Sequence, residues 1–333
     1  MSVPEQNSSA QRQPDVSVCI VSYNTKDLLR DCLASLLKRE AEGEASLEII
    51  IADNGSTDGS VEMVRNEFPS VIVVETGGNI GYGRANNRGL RDATGRYYFV
   101  LNSDTEVEPG AFRAMIAFMD SHPKVGLIGA QLILPDGSTQ ASCANDPTIE
   151  SIFWEQTYLD KLIPRGKRTG AYTIRDWDYN EVREVQQVCG ACFFVRAEAF
   201  RQIEGFDPAY FMYFEDTDFC VRLRRAGWPI YFVPEARILH HLGASSGTDW
   251  RVRAKMISAY NQSRFYFFSR EEGTARGLLV KLYTLVGASL RIVAWSILSL
   301  TRPGARQQVK LFADVWRRTA LMRSGKKPVA GAD

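Results

Sequence analysis

The sequence predicts an α/β fold, in which a mostly parallel sheet is flanked by helices and a helical tail follows at the C-terminus. Short apolar, β-branched runs alternate with segments of helical periodicity, which is typical of βαβ units. Each of the first four apolar runs ends in a polar or glycine-rich turn. The 333 residues, 45% hydrophobic and 24% charged, have globular composition, which excludes a mainly disordered or disulfide-scaffold protein.

Four strands and four helices are predicted in the first 121 residues. Residues 16–22 form an unbroken β-branched run typical of a buried strand, and the leucines of residues 26–38 recur as a helical stripe. Pro109 begins a helix, where its missing N–H costs little. The remaining predicted strands are 47–52, 71–75 and 97–101, and the helices are 26–38, 60–68, 83–93 and 109–121.

The middle of the chain is less regular. A hairpin is expected at residues 131–140, around Pro135-Asp136-Gly137. Residues 148–179 are aromatic and irregular, and we interpret them as an insertion that shapes a substrate site or as a mobile loop. Further elements are a buried strand at 188–195, a helix at 216–226 closed by Gly227, and short strands at 230–234 and 237–240. The six cysteines are predicted to be reduced thiols of a cytosolic protein, and the pair Cys189 and Cys192 is interpreted as buried and structural, with a redox or zinc half-site as the alternative.

The net charge of +1 conceals an asymmetry between body and tail. Residues 273–333 contain 11 Lys and Arg against two Asp and Glu, so they carry +9 and the preceding 272 residues carry −8. Residues 278–300 are apolar except for Lys281 and Arg291, which leave no unbroken apolar stretch of the roughly 20 residues that a membrane crossing needs. We interpret the tail as a helix lying on an anionic membrane surface, with these two charges snorkelling. A core or dimer helix is the alternative.

This pattern divides the chain into three parts. Residues 1–15 are polar, lack the apolar core of a signal peptide and are predicted to be a disordered tail. Residues 16–248 form the predicted catalytic domain, and residues 249–333 form a helical, basic and apolar region that associates with membranes.

The polar turns after the four strands are the first candidate site, since ligands of parallel sheets bind outside the carboxyl ends of the strands. Asp104, after the fourth strand, is a candidate ligand for Mg²⁺ or Mn²⁺, and Asp53 is a candidate acceptor for a nucleotide base N–H. Both aspartates could instead only close turns. The four turns are Ser22-Tyr23-Asn24, Asp53–Asp58, Gly77–Gly83 and Asn102-Ser103-Asp104.

The second candidate site is the acidic run Glu215-Asp216-Thr217-Asp218, which is flanked by aromatic residues. Three carboxylates so close together repel one another, so the pKa of one can rise until it serves as a base. The alternative is a solvated helix N-terminus. His240 and His241 end a predicted strand, and either is a candidate metal ligand.

Taken together, these segments resemble the GT-A-type glycosyltransferases of family 2 from about residue 16 to residue 246. The GT-A fold is a Rossmann-like mixed sheet flanked by helices. The stretch His240-His241-Leu242-Gly243-Ala244-Ser245 and the segment Asn261–Tyr266 resemble the rhamnosyltransferase-like branch of that family. The motifs are VCIVSYN at 18–24, DNGSTDG at 53–59, NIGY at 79–82, LNSDT at 101–105, GACF at 190–193, GFD at 205–207 and FEDTDFC at 214–220.

The resemblance implies a role for each matched residue. Asp216 is the expected base, paired with Glu215, and Asp104 is the expected ligand of Mg²⁺ or Mn²⁺, supported by His240 or His241. Asn102 stands where the family's DxD motif has its first Asp, so metal binding depends more on Asp104. The residues expected on the nucleotide sugar are Ser22, Tyr23, Asn24, Asp53, Asn79, Gly81, Arg84, Asn102 and Ser103, and those on the acceptor side are Gly190, Ala191, Cys192 and Asp218.

The function implied is that of an inverting glycosyltransferase in cell-surface polysaccharide synthesis. Its expected donor is a dTDP- or UDP-linked sugar, with L-rhamnose as the candidate, and its acceptor a glycan or a polyprenyl-diphosphate-linked sugar. The expected location is cytoplasmic, peripheral on the inner face of the membrane, with no nucleic-acid partner. The alternatives are a nucleotidyltransferase, which would need an early basic phosphate loop, and a non-catalytic membrane-recruited nucleotide-sugar-binding module, which would not need the acidic run.

Overall fold

The computed structural model describes residues 13–157, 172, 174, 177–242, 249–302 and 304–322. The strands are β1 (Val16–Ser22), β2 (Leu47–Asp53), β3 (Ile72–Glu75), β4 (Tyr97–Asn102), β5 (Thr105–Val107), β6 (Leu127–Ile133), β7 (Cys143–Ala144), β8 (Arg183–Glu184), β9 (Gln187–Val188), β10 (Cys192–Arg196) and β11 (Ile230–His240). The helices are α1 (Lys26–Ala41), α2 (Ser60–Glu67), α3 (Tyr82–Gly89), α4 (Ala111–Ser121), α5 (Ile149–Thr157), α6 (Ala197–Gln202), α7 (Glu215–Arg225), α8 (Trp250–Glu271), α9 (Thr274–Leu298) and α10 (Ala305–Leu321).

The predicted mixed sheet is confirmed. Its strand order is β3-β2-β1-β4-β10-β6-β11-β5, with β8 paired to β11. The first four strands along this order are parallel, whereas β10 runs antiparallel to both β4 and β6. β6 and β11 pair in parallel, and β5 closes the edge antiparallel to β11. A separate ribbon pairs β7 with β9.

Both faces of the sheet are covered. Alternate side chains of a strand point to opposite faces, and those of β1 enter two different apolar clusters. Val18 and Ile20 of β1 belong to one apolar cluster, together with Leu29 and Leu33 of α1. Cys19, between them in sequence, belongs to the second cluster on the other face. This burial on both sides explains why the central strands are continuous apolar runs and not alternating ones.

The structure corrects four sequence-based boundaries. The strand predicted at 188–195 is divided between β9 and β10 by a turn that the hydrogen bond from the Cys192 N–H to the Cys189 carbonyl closes. The two strands predicted at 230–240 are the single strand β11, whose register shifts between Val233 and Arg237. The short strand β5 was not predicted. The irregular insertion contains helix α5, while residues 158–171 lie outside the described part of the chain.

The C-terminal helices α8, α9 and α10 pack against one another, and α5 packs against α9. The snorkelling predicted for two charges of α9 is wrong. Lys281 Nζ donates to the carbonyls of Ala320 and Met322, and the Arg291 guanidinium lies over the Phe312 ring, so both side chains are engaged within the protein. By length and composition, however, the 25-residue helix α9 is apolar enough to cross a membrane.

Candidate active site

The carboxyl ends of the parallel strands bring three of the expected binding residues together. In the β1–β2 pair Ser22 lies opposite Asp53, and in the β1–β4 pair Val21 lies opposite Asn102. The Ser103 hydroxyl continues this edge and accepts a hydrogen bond from the Thr25 hydroxyl at 3.0 Å. The polar turns predicted at separate points of the sequence therefore form one continuous edge.

Asp53 is buried and uses only one of its carboxylate oxygens within the described protein. Oδ2 accepts hydrogen bonds from the backbone N–H groups of Gly55 and Ser56, at 3.0 and 3.1 Å. Oδ1 is buried and has no hydrogen-bond partner among the described residues. An ionised carboxylate only accepts hydrogen bonds, so this orphaned oxygen calls for a donor such as a base N–H.

The first two turns are tied together beside Asp53. The Asn24 side-chain oxygen accepts a hydrogen bond from the Thr57 N–H at 2.7 Å, and the Asn24 N–H donates to the Ser56 hydroxyl. Asn24 itself has a positive φ of 55°, a conformation that asparagine tolerates better than most residues. The neighbouring Tyr23 side chain is 49% exposed, so an aromatic surface stands open at this edge.

The glycine-rich turn docks onto the loop that precedes α7. Gly81 has φ +93°, and a Cβ placed there would lie 2.4 Å from the Phe211 carbonyl oxygen, so only glycine fits. Asn79 holds the turn, since its side-chain oxygen accepts from the Gly81 N–H at 3.2 Å. The Tyr82 hydroxyl donates to the Gly190 carbonyl at 2.8 Å, and Arg84 Nε donates to the Pro208 carbonyl at 2.5 Å.

Asp104 and His240 form the candidate metal site. Asp104 Oδ1 lies 3.3 Å from His240 Nε2, because Thr105 of β5 pairs with His240 of β11. The other ring nitrogen, Nδ1, lies 2.8 Å from the Gln140 side-chain oxygen and therefore donates its proton there. In the neutral ring Nε2 then carries the lone pair, and a cation bound by Nε2 and the Asp104 carboxylate would stabilise these two facing acceptors.

The two histidines have different partners in the structure. His241 Nε2 lies 2.7 Å from Glu106 Oε1, and the His241 N–H donates to the Asp104 carbonyl, so His241 supports the turn and its ring faces another acid. No group of three or more His, Cys, Asp or Glu residues suited to a metal occurs in the described ranges. Two protein ligands suit Mg²⁺ or Mn²⁺ when substrate phosphates supply the others.

The acidic run begins α7 immediately after two residues in a strained conformation. Tyr213 and Phe214 have φ values of 67° and 63°, in the left-handed region that non-glycine residues seldom occupy. Such strain persists where the surrounding structure enforces it, and it is common at active sites. Directly after these two residues Glu215 is buried, whereas Asp216 is partly exposed.

The two acids of the pair differ in environment. Glu215 is 7% exposed and its Oε2 has no hydrogen-bond partner among the described residues; burial and the neighbouring charge of Asp216 raise its pKa to about 8. Asp216 is partly exposed, and its Oδ1 accepts from its neighbour Thr217 N–H at 2.8 Å. Burial also raises the pKa of Asp216. Gly190 lies against Asp216, since a Cβ there would be 3.2 Å from that of Asp216.

Asp218 is enclosed within the protein, contrary to the expectation that it lies on the acceptor side. Its side chain is fully buried, and it pairs with Arg222 at 2.7 Å and with Arg270 of α8. Burial raises the pKa of this carboxyl, although both arginines act in the opposite direction. Asp218 therefore joins α7 to the C-terminal helices. Of the other residues expected on that side, Ala191 accepts from the Asn102 N–H at 3.0 Å and Cys192 is buried in the sheet.

The buried Glu215 carboxyl predicts a dependence of stability on pH. Because its pKa is raised in the folded state, its contribution to stability is complete below the unfolded value of about 4.5 and is lost as the pH rises toward 8. One such group contributes a slope of up to about 1.4 kcal/mol per pH unit. We expect Glu215→Gln to flatten the fall in melting temperature between pH 5 and 8, measured against wild type. Parallel curves for the two proteins would contradict this assignment.

Two site residues were missed from the sequence. Gln140, which fixes the ring of His240, lies in the predicted hairpin and carries no local signal of its role. Tyr82, which links the glycine turn to Gly190, stood in the NIGY motif but was given no role. Both act across long sequence separations, and only the folded chain brings them to the site.

These features together define a class of protein. A mixed Rossmann-like sheet, a carboxylate–imidazole pair beside the strand ends and a partly exposed acid beside Gly190 are the parts of a nucleotide-sugar-dependent transferase. Comparison with known proteins agrees. Residues 17–203 match the model of glycosyl transferase family 2, and residues 167–303 match that of glycosyl transferase family group 2.

The chain belongs to glycosyl transferase family 2 and is a glycosyltransferase. It is 34% identical, over 82% of its length and 94% of the relative's, to N-acetylglucosaminyl-diphospho-decaprenol L-rhamnosyltransferase of Mycobacterium tuberculosis. It is also 24% identical to the O-antigen biosynthesis protein RfbC of Myxococcus xanthus, over 71% of this chain and 18% of that one. The first of these relatives indicates the rhamnosyltransferase-like branch.

Solved structures confirm the GT-A fold. The mannosyltransferase PcManGT of Pyrobaculum calidifontis, in complex with GDP-Man and Mn²⁺, superposes with a TM-score of 0.50 and 16% identity, over 93% of this chain and 87% of that one. GalNAc-T7 with UDP, GalNAc and Mn²⁺ superposes with a TM-score of 0.55 and 18% identity, over 80% of this chain and 52% of that one. Both neighbours were solved with a divalent metal.

Proposed function

We propose that the protein transfers a sugar, with inversion, from a nucleoside diphosphate donor to a polyprenyl-diphosphate-linked acceptor. The observation that carries the proposal is that the neighbouring residues Gly190 and Ala191 contact both sites: Ala191 accepts from the Asn102 N–H at the end of β4, and Gly190 lies against Asp216. The name of the Mycobacterium tuberculosis relative supports L-rhamnose as the sugar and a lipid-linked N-acetylglucosamine as the acceptor.

The donor nucleotide is proposed to lie along the strand ends. The unpartnered Oδ1 of Asp53 accepts the base N–H, and the exposed Tyr23 ring offers a surface to the base. Uracil and thymine share an N3–H, so this contact fits dTDP and UDP alike. Asn102 and Ser103 follow at the end of β4 and lead to Asp104.

The described residues fit a divalent ion. The Asp104 carboxylate and His240 Nε2 would hold it, and a bound Mg²⁺ or Mn²⁺ would neutralise the negative charge that develops on a diphosphate leaving group. Gln140 keeps the His240 ring in the tautomer that a metal needs.

Asp216 is proposed as the general base. It is partly exposed beside Gly190, whereas Glu215 is enclosed, so Asp216 is the acid that an acceptor hydroxyl can reach. The hydroxyl proton passes to Asp216 as the hydroxyl oxygen attacks the anomeric carbon opposite the leaving diphosphate. A single displacement without an enzyme nucleophile inverts the configuration at that carbon.

We expect Asp53→Asn to weaken binding of UDP and dTDP roughly tenfold. The substitution removes the charged carboxylate oxygen that accepts the base N–H, and the amide can turn its N–H₂, a second donor, toward that N–H. Isothermal titration calorimetry with each nucleotide measures the change. Asp58→Asn is the matched control, since Asp58 lies in the same turn but accepts from the Lys26 and Ser60 N–H groups. Equal losses in the two variants would contradict the assignment.

The proposed location is the cytoplasmic face of a membrane. Free thiols fit a reducing compartment, and all six cysteines are free. The outer side of α9 exposes an apolar row at helical spacing, accompanied by the basic residues of the tail, which suits an anionic surface. The row consists of Leu278, Leu282, Val286, Leu290, Val293 and Ile297.

Transfer assays test the proposed function. Purified protein with Mn²⁺ is offered dTDP- and UDP-linked sugars, with an N-acetylglucosaminyl-diphospho-lipid as acceptor. We expect one nucleotide sugar, dTDP-L-rhamnose, to give a lipid-linked disaccharide whose new linkage is inverted, as read by NMR. Transfer of a nucleotidyl group, or donor binding without transfer to any acceptor, would instead favour one of the alternative functions.

A further inference from the structure

A cavity of about 790 Å³ lies among the C-terminal helices, apart from the sheet edge, with walls from α5, α8, α9 and α10. Its size is within the range of cavities that hold small-molecule ligands. Tyr213 also lines it, and Tyr213 is the residue whose strained backbone leads into Glu215 and Asp216. The cavity therefore reaches the loop that carries the proposed base.

Tyr260 of α8 lines the cavity and also contacts the loop that precedes Glu215. Its ring makes edge-to-face contacts with the rings of Tyr213 and Phe214, at centroid distances of 5.7 and 5.2 Å. Burial raises the pKa of Tyr260 to about 12, with a further contribution from the charge of Asp216. A ligand in the cavity would thus contact the rings that adjoin the loop leading to Glu215 and Asp216.

The walls are chemically divided between apolar and cationic groups. Five lining residues are apolar: Met256, Ile257, Ala288, Phe312 and Val315. Two arginines, Arg253 and Arg291, also line the cavity, against one acid, Glu155. Glu155 is already 3.4 Å from the fully buried Arg264, whereas the Arg253 guanidinium has no acidic partner within the described ranges. The cavity is therefore suited to a ligand with an anionic group and an apolar chain.

Helix α9 connects this cavity to the proposed membrane surface. Its residues Thr284, Ala288 and Arg291 line the cavity, and with 3.6 residues per turn they share one face of the helix. Val286, Leu290 and the rest of the exposed apolar row lie on the opposite face. One helix therefore separates the cavity from the surface that a membrane would cover.

We propose that this cavity binds the isoprenoid diphosphate part of the acceptor, an inference that rests on the proposed function. The diphosphate pairs with Arg253, and the first isoprene units pack against Met256, Ile257 and Phe312. The sugar carried by the diphosphate then extends past Tyr260 and Tyr213 toward Asp216. The cavity thus selects lipid-linked acceptors and orients the hydroxyl that attacks.

Binding of farnesyl diphosphate to the full chain tests the proposal without requiring turnover. By calorimetry, we expect farnesyl diphosphate to bind at least about tenfold more tightly than inorganic pyrophosphate or farnesol, since each lacks one of the two groups recognised. Equal affinity for farnesol would show a purely apolar cavity, and equal affinity for pyrophosphate a simple anion site; either result would overturn the proposal.

Two substitutions and their matched controls locate the binding. Ala288→Phe fills the cavity and Arg253→Gln removes the unpaired cation, and each is expected to weaken farnesyl diphosphate binding roughly tenfold. Ala294→Phe on the exposed surface of the same helix, and Arg251→Gln two residues away on α8, should leave the affinity unchanged. Since Arg253 is exposed, its substitution does not endanger folding. Unchanged affinity in both cavity variants would overturn the proposal.

The same variants separate this inference from the proposed function. If wild type transfers sugar to a lipid-linked acceptor and the cavity variants keep the same acceptor KM, the cavity assignment is wrong and the proposed function stands. If farnesyl diphosphate binds as expected but sugar is transferred only to acceptors without lipid, the proposed function is wrong in its acceptor and the cavity remains an isoprenoid diphosphate site.

Discussion

Asp216→Asn is expected to abolish sugar transfer and to leave donor binding nearly intact. An amide cannot take the proton of the acceptor hydroxyl, and general-base catalysis contributes roughly 10²- to 10⁴-fold to rates. The substitution keeps the side-chain size, and its oxygen can still accept from the Thr217 N–H that now bonds Oδ1. The loss should therefore fall on kcat and not on the KM for the nucleotide sugar.

The measurement is a transfer assay in parallel with nucleotide titration and thermal unfolding. The wild-type rate should also rise with pH, because burial raises the pKa of Asp216 and a base works only when it has lost its proton. A variant that keeps transfer within tenfold of wild type would contradict the base assignment. So would a variant in which donor affinity falls as far as the rate.

Asp104→Ala is expected to remove metal-dependent donor binding, with a loss of roughly 10²-fold or more in kcat/KM. His240→Gln should produce a smaller loss in the same direction, because Asp104 remains. Chelation by EDTA should inactivate wild type, and added Mn²⁺ or Mg²⁺ should restore it. Titration of UDP or dTDP with and without Mn²⁺ measures the metal-dependent part of the affinity.

His241→Gln is the matched control, since it removes the neighbouring imidazole, which faces Glu106 and not Asp104. It should retain most of the metal-dependent affinity. Activity that is unchanged by chelation would contradict a metal role. If His241→Gln costs as much as His240→Gln, the assignment of His240 alone as the second ligand is wrong.

The α/β class and the four strand-end turns could be predicted from the sequence, because hydrophobic periodicity and turn chemistry are local signals. The turns at Asp53 and Asp104 needed no tertiary information beyond the rule that parallel strand ends share one edge. β5 could not be predicted in the same way. It is three residues long, and it exists because β11 lies beside it and pairs His240 with Thr105.

The candidate site likewise combines residues that local sequence signals identify with residues that only long-range contacts identify. The acidic run marked Asp216, and the resemblance to family 2 assigned its role, but nothing local distinguished Asp218 from its neighbours. The distinction comes from Arg270, 52 residues further along, which meets Asp218 inside the protein. Similarly, the sequence made His240 and His241 equally good candidates for the metal ligand. Their environments differ because Gln140 lies against the His240 ring and Glu106 against the His241 ring.

The sequence by itself determined the alternation of strands and helices, the polar edge, the acidic run and the apolar, basic tail, since each depends on residues within one or two turns of chain. Only the tertiary structure decided which histidine faces Asp104, that Asp218 is an ion-pair residue, and that α9 turns one face to a cavity and the other outward. Those features arise from contacts between segments far apart in sequence, and pairings of that kind leave no periodic signal in either partner alone.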